Sequence, residues 1–64
     1  MKEIEQMTDE GLVFWVKRCG SPDPDHAQIV KAAANIYDIS TTDFNVYLRA
    51  EIVARFIKRV EGEK

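Results

Sequence analysis

The side chains that could do chemistry in this chain are few, and they lie around one short connector. Cys19 comes before the connector and His26 after it. A thiol beside a histidine can act as a nucleophile when a third group orients the imidazole. The sequence supplies no evident third group for this pair. We therefore expect no catalytic residues and no enzymatic activity.

Metal and cofactor sites are also not expected. One cysteine and one histidine cannot close a tetrahedral metal site. Asp23, Asp25 and His26 lie close in sequence but lack the spaced oxygen ligands of a calcium loop. The glycines are isolated and form no phosphate-binding loop. The sequence therefore predicts no metal, no cofactor and no small-molecule substrate.

The composition indicates one small folded domain that covers residues 1–64. Hydrophobic residues make up 45% of the 64 residues, charged residues make up 31%, and the net charge is −2. This acidic balance disfavours unspecific binding to phosphate backbones or to anionic membranes. No apolar run approaches the roughly 20 residues that a membrane span requires. A single unpaired cysteine fits the reducing cytoplasm, where we expect the protein to act.

The first predicted helix covers residues 9–19. Thr8 is a typical N-cap, and the acidic residues after it place negative charge at the positive end of the helix dipole, where it is stabilising. The apolar residues that come next recur at intervals of three and four, as on one face of a helix. Gly20 stands directly after this pattern and could end the helix in the left-handed conformation.

Two further helices are predicted at residues 24–37 and 41–61. Asp23 followed by Pro24 is typical of an N-cap and a first helical residue. Ser40 lies three residues before Asp43 and resembles a capping box. No segment alternates in the way that a strand does. The predicted fold is an all-α, three-helix domain with a long C-terminal helix.

The third predicted helix carries more apolar surface than one packed face needs. Two apolar stripes run along it at 100° per residue: Val46, Ala50, Val53, Ile57 and Val60 in the first, and Phe44, Leu48, Ile52 and Phe56 in the second. The two shorter helices could cover both stripes, or a second chain could cover one of them. We expect a homodimer, because a core of this size supplies only about 3–5 kcal/mol by itself. The predicted partner-binding residues are Phe44, Leu48, Arg49, Ile52 and Phe56.

The charged residues of the same helix are predicted to face solvent. They are Glu51, Arg55, Lys58 and Arg59. Glu51 and Arg55 are four residues apart and form a favourable pair on a helix surface, worth about 0.3–0.5 kcal/mol.

The stretch from Val30 to Leu48 resembles the helix-turn-helix motif of bacterial and phage regulators. Small residues stand at Ala33 and Ala34, and an apolar residue comes after them at Tyr37. Asp38 occupies the turn position where that motif usually has glycine, and aspartate tolerates a left-handed backbone better than most residues. The resemblance implies a DNA-binding transcriptional regulator of the phage or plasmid type. The residues that would contact DNA are Thr41, Thr42, Asn45 and Arg49.

The sequence supports two hypotheses of function. The first is a small intracellular, non-enzymatic protein-interaction or regulatory module that binds a protein partner or itself through the third helix. The alternative is the DNA-binding regulator that the motif implies.

Overall fold

The computed structural model describes residues 1–62 and shows an all-α domain, as predicted. Four helices succeed one another: α1 (Lys2–Glu5), α2 (Asp9–Cys19), α3 (Pro24–Ile36) and α4 (Thr41–Gly62). The three longer helices lie within one residue of their predicted bounds. The short helix α1 was not predicted. Helix α4 reaches Gly62, one residue beyond its predicted end, and residues 63 and 64 lie outside the described residues.

Helix α2 begins as predicted but ends differently. The Gly11 N–H donates to Thr8 Oγ1 over 3.1 Å, so Thr8 is the N-cap. The prediction of a left-handed end was wrong, because Gly20 has φ −93° and ψ 1°. The Gly20 N–H donates to the Val16 carbonyl over 3.2 Å. The helix therefore ends in an ordinary right-handed turn, which does not require glycine.

Helices α3 and α4 are joined by a tight corner, and both predicted caps are in place. Asp23 Oδ1 accepts from the Asp25 N–H over 2.9 Å at the start of α3, where Pro24 occupies the first turn. Asp38 takes the left-handed conformation with φ 58°. Ser40 Oγ then accepts from the Asp43 N–H over 3.0 Å and opens α4. Asp38 is therefore the left-handed residue of the corner, a backbone conformation that aspartate tolerates better than most residues.

The core is built around Phe44 and Leu48 in the first half of α4, both 0% exposed. The Trp15 ring of α2 meets Phe44 edge-on with centroids 5.7 Å apart, and the centroid of the Tyr37 ring lies 5.9 Å from that of Phe44. Small residues of α3 allow that helix to approach closely. The remaining buried side chains are Ile4, Leu12, Val30, Ala33 and Ala34.

Arg55 joins three helices, which corrects the prediction that the charged residues of α4 only face solvent. Its Nε donates to Glu51 Oε2 over 2.8 Å, within the pair predicted on α4. Its other nitrogens donate to Asp9 Oδ1 over 2.9 Å and to the Glu5 carbonyl over 3.0 Å. Arg59 adds a bond of 3.1 Å to Asp9 Oδ2. Arg55 therefore ties α4 to the start of α2 and to the end of α1.

The contact between Asp9 and Arg55 is expected to make stability fall in acid. The hydrogen bond from Arg55 lowers the pKa of Asp9 below its ordinary value, with Arg59 contributing in the same direction. A group with a depressed pKa contributes stability above its unfolded pKa, here about 4, and loses it as the pH falls through the folded value.

Asp9→Asn should therefore have a lower thermal midpoint than the native chain at pH 7. The difference between the two midpoints should become smaller at about pH 2–3, where Asp9 of the native chain loses its charge. Thermal unfolding measured by circular dichroism across this pH range checks the expectation. Glu10→Gln removes a neighbouring carboxylate and is the control. An equal midpoint difference between native and Asp9→Asn chains at every pH would contradict the role given to Asp9.

Candidate functional site

The outward face of α4 carries an uninterrupted apolar stripe, which we call the outward seam. Its residues are Val46, Ala50, Val53, Ile57 and Val60. Val46 and Val53 are each 54% exposed, Ile57 is 51% exposed and Val60 is 44% exposed. Branched apolar side chains left half in water along four turns of one helix are typical of an interaction surface.

The position of the outward seam is set by the helix period. At 100° per residue, the five residues lie on the side of α4 opposite Phe44 and Leu48. Because α1, α2 and α3 all pack on the inward side, none of them covers the seam. The intervals along the seam are four, three, four and three residues. This is the spacing of the a and d positions by which two helices pair in a coiled coil.

The structure corrects the predicted partner-binding residues. Phe44 and Leu48 are fully buried, so they belong to the core and cannot contact a partner of the folded chain. Ile52 is partly buried and packs against the same core. Arg49 is exposed, and Phe56 is 63% exposed. The apolar surplus predicted for α4 is therefore present, but most of it lies on the first stripe and not on the second.

Phe56 extends the exposed apolar surface from α4 towards α2. It lines an open groove of about 170 Å³ between the two helices, with Leu12, Val13 and Ile52 among the other lining residues. Asp9 and Arg55 close one edge of this groove through their ion pair. Val13 was not singled out from the sequence, since it falls between the apolar positions that mark the inner face of α2.

The four predicted DNA-contacting residues share one side of α4 near its start. Thr41, Thr42 and Asn45 line an open pocket that also includes Cys19. Arg49 lies one turn further along, and its Nε donates to Asn45 Oδ1 over 3.0 Å. The cations Arg55 and Arg59 lie at the other end of α4 in ion pairs with Asp9. The structure therefore brings the four residues together, and Arg18 of α2 lines a second open pocket with Thr41.

His26 contacts Ser21 in the connector before α3. The ring Nδ1 lies 2.8 Å from Ser21 Oγ, and Nε2 lies 4.0 Å from Asp23 Oδ2. Ser21 Oγ also accepts from the Asp23 N–H over 3.2 Å, so these contacts stay within one short stretch of chain and brace the start of α3. Among residues 1–62, no group of three or more histidine, cysteine, aspartate or glutamate side chains could hold a metal ion.

Cys19 is expected to react slowly. Partial burial raises the pKa of the Cys19 thiol above its ordinary value, and nearby Arg49 offsets only part of this rise. Because the thiolate is the reactive form, alkylation by iodoacetamide at about pH 7.5 should be several times slower in the folded chain than in guanidinium chloride. Mass spectrometry of timed samples measures both rates. A faster reaction in the folded chain would identify an activated cysteine.

Comparisons with protein-family models, curated proteins and solved structures find no match. The function must therefore be inferred from the surfaces of the chain itself. Within residues 1–62, no helix has both the length and the apolar character needed to cross a membrane. The outward seam of α4 and the polar cluster at its start are the two surfaces from which a function can be proposed.

Proposed function

We propose that this protein is a small, non-enzymatic protein-interaction module that forms a homodimer through the outward seam of α4. The observation that carries the proposal is the half-exposed stripe of five apolar residues at a and d spacing, opposite the core. The proposed setting is the cytoplasm, which suits the unpaired Cys19. In such a module, pairing of the long helices would present the remaining surfaces of two copies as one regulatory unit.

A second copy is the occupant that suits the seam best. The seam is apolar throughout and contains no charged residue, so two copies can meet without burying a like-charged pair. The contact would be isologous, the commonest arrangement of soluble homodimers. Its spacing already matches the geometry by which one helix packs on another of the same kind.

The size of the seam indicates a weak dimer. Burying the exposed half of Val46, Val53, Ile57 and Val60 on both chains contributes roughly 6–12 kcal/mol at 1.5–3 kcal/mol for full burial of such a side chain. Association costs about 4–15 kcal/mol in lost freedom of motion. The surplus reaches about 8 kcal/mol at most, which corresponds to a dissociation constant of about 1 µM or weaker.

Sedimentation equilibrium of the native chain tests the proposal. We expect a reversible shift from monomer to dimer between about 1 µM and about 1 mM, the range that the energy balance indicates. A weight-average mass equal to the monomer throughout this range would overturn the homodimer.

A DNA-binding regulator of the phage or plasmid type is the second candidate. It is favoured by the left-handed Asp38 in the turn and by the exposed Thr41, Thr42 and Arg49 on one side of α4. The acidic net charge of −2 weighs against it.

Electrophoretic mobility shift with mixed duplex DNA at low salt tests this second candidate. If the chain binds DNA, affinity should fall steeply with salt, and Arg49→Ala should weaken binding and reduce the salt slope by about one. Lys58→Ala, at the far end of α4, is the matched control. If the native chain does not retard DNA at about 50 mM salt, it is not a DNA-binding regulator.

A further inference from the structure

We propose that two copies of this chain pair through the outward seam with their α4 helices antiparallel, so that Ala50 of each packs against Val53 of the partner subunit. The inference rests on the proposed homodimer and adds its geometry. It is carried by the order of large and small residues along the seam and by the charged residues Asp43 and Arg49 that lie next to it. Together they make the two possible orientations unequal.

A parallel dimer would place each seam residue against its own copy, because its two-fold axis runs along the helices. Ala50 would then face Ala50 of the partner subunit, which leaves a gap in the middle of the contact. Asp43 lies one heptad, seven residues, before Ala50 and therefore at the preceding a position. Two Asp43 carboxylates would meet at the start of a parallel pair, and like charges directly opposite one another are destabilising.

An antiparallel dimer avoids both the gap at Ala50 and the repulsion between the two Asp43 carboxylates. When the two-fold axis passes between Ala50 and Val53, each Ala50 packs against the larger Val53 of the partner subunit. Val46 then meets Ile57 of the partner subunit, so every layer of the central contact pairs a smaller side chain with a larger one. In this register each Asp43 lies at the edge of the contact, opposite Val60 of the partner subunit, and the two Asp43 carboxylates are separated by most of the length of α4. The antiparallel helix dipoles attract each other.

The residues beside the seam also match in the antiparallel orientation. Arg49 and Phe56 each precede an a position and flank the seam on one side. In this register Arg49 of one copy lies beside Phe56 of the partner subunit, and the reverse contact forms at the other end. Phe56 is 63% exposed in the single chain. Stacking of the guanidinium on this ring is a favourable cation–π contact and covers the ring.

Distances between spin labels at the two ends of α4 test the orientation. Thr42→Cys and Glu61→Cys are made separately in a Cys19→Ala chain, since both positions are exposed and lie outside the seam. Each variant is labelled with a nitroxide and measured by double electron–electron resonance at about 1 mM, the upper end of the concentration range expected for the dimer. Circular dichroism and Trp15 fluorescence confirm that each labelled chain is folded.

The antiparallel dimer predicts a long distance in each singly labelled sample and a short one in the mixture. Residue 42 of one copy lies opposite residue 61 of the other, so like labels are about 28 Å apart along the helices at 1.5 Å per residue. Mixing the two labelled chains should add a population under about 20 Å, close to the spacing of packed helices plus two label arms.

The outcomes separate the orientation from the dimer itself. Short distances in both singly labelled samples, with none gained on mixing, would show a parallel dimer and overturn the orientation alone. Sedimentation as a monomer at the same concentration, with no dipolar coupling in any sample, would overturn the dimer and the orientation together. Arg49→Ala should weaken the native dimer several-fold, whereas Lys58→Ala should leave it unchanged.

Discussion

Phe44→Ala is expected to leave the chain largely unfolded at 25 °C. Phe44 is 0% exposed and contacts Trp15 of α2 and the Tyr37 ring at the end of α3, so its removal leaves a cavity at the meeting point of three helices. Replacing a buried phenylalanine with alanine costs about 3–5 kcal/mol. A single core of this size rarely supplies more than about 3–5 kcal/mol in total.

Circular dichroism at 222 nm and Trp15 fluorescence measure the effect of Phe44→Ala. Val46→Ala lies two residues away on the same helix but on its exposed side, and it should retain the native signal at low concentration. Cooperative unfolding of Phe44→Ala within a few degrees of the native midpoint would show that the centre of the core lies elsewhere.

Val53→Glu combined with Ile57→Glu is expected to abolish self-association. Both side chains are about half exposed and lie in the middle of the outward seam. Pairing the variant chains would place four carboxylates in an apolar contact, where an unpaired charge costs several kcal/mol. We expect the dissociation constant to rise by at least a hundredfold, so sedimentation equilibrium should find a monomer at concentrations where the native chain is a dimer.

Ile29→Glu combined with Ile36→Glu is the matched control for the seam variant. These isoleucines are also exposed, at 43% and 79%, but they belong to α3. The control adds the same negative charge and removes the same kind of apolar surface. Dimers that survive in the seam variant, or are lost only in the α3 control, would place the interface away from the outward seam.

The helices themselves could be predicted because their signals are local. Thr8, the pair Asp23 and Pro24, and Ser40 each act within one turn of chain, and each cap lies where the sequence predicted it. Helix α1 was missed because four residues with one buried apolar side chain, Ile4, show no periodic pattern. Its position depends on burial against residues far along the chain.

The orientation of α4 could not be predicted from its two apolar stripes. Both stripes are continuous, and no local pattern in the sequence indicates which of them the shorter helices cover. Packing selected the stripe with the larger side chains Phe44 and Leu48, whose burial contributes more than that of valine and alanine. The bond between Arg55 and Asp9 joins residues 46 apart in sequence, and no local pattern indicates such a contact.

The length of α4 affects how the mass of this protein should be measured. A single chain extends 42 × 23 × 16 Å, because the end of the long helix projects past the shorter ones. An elongated particle diffuses more slowly than a sphere of equal mass, so its elution from a gel-filtration column overstates its mass. Stoichiometry must therefore come from methods that weigh the particle, such as light scattering or sedimentation equilibrium.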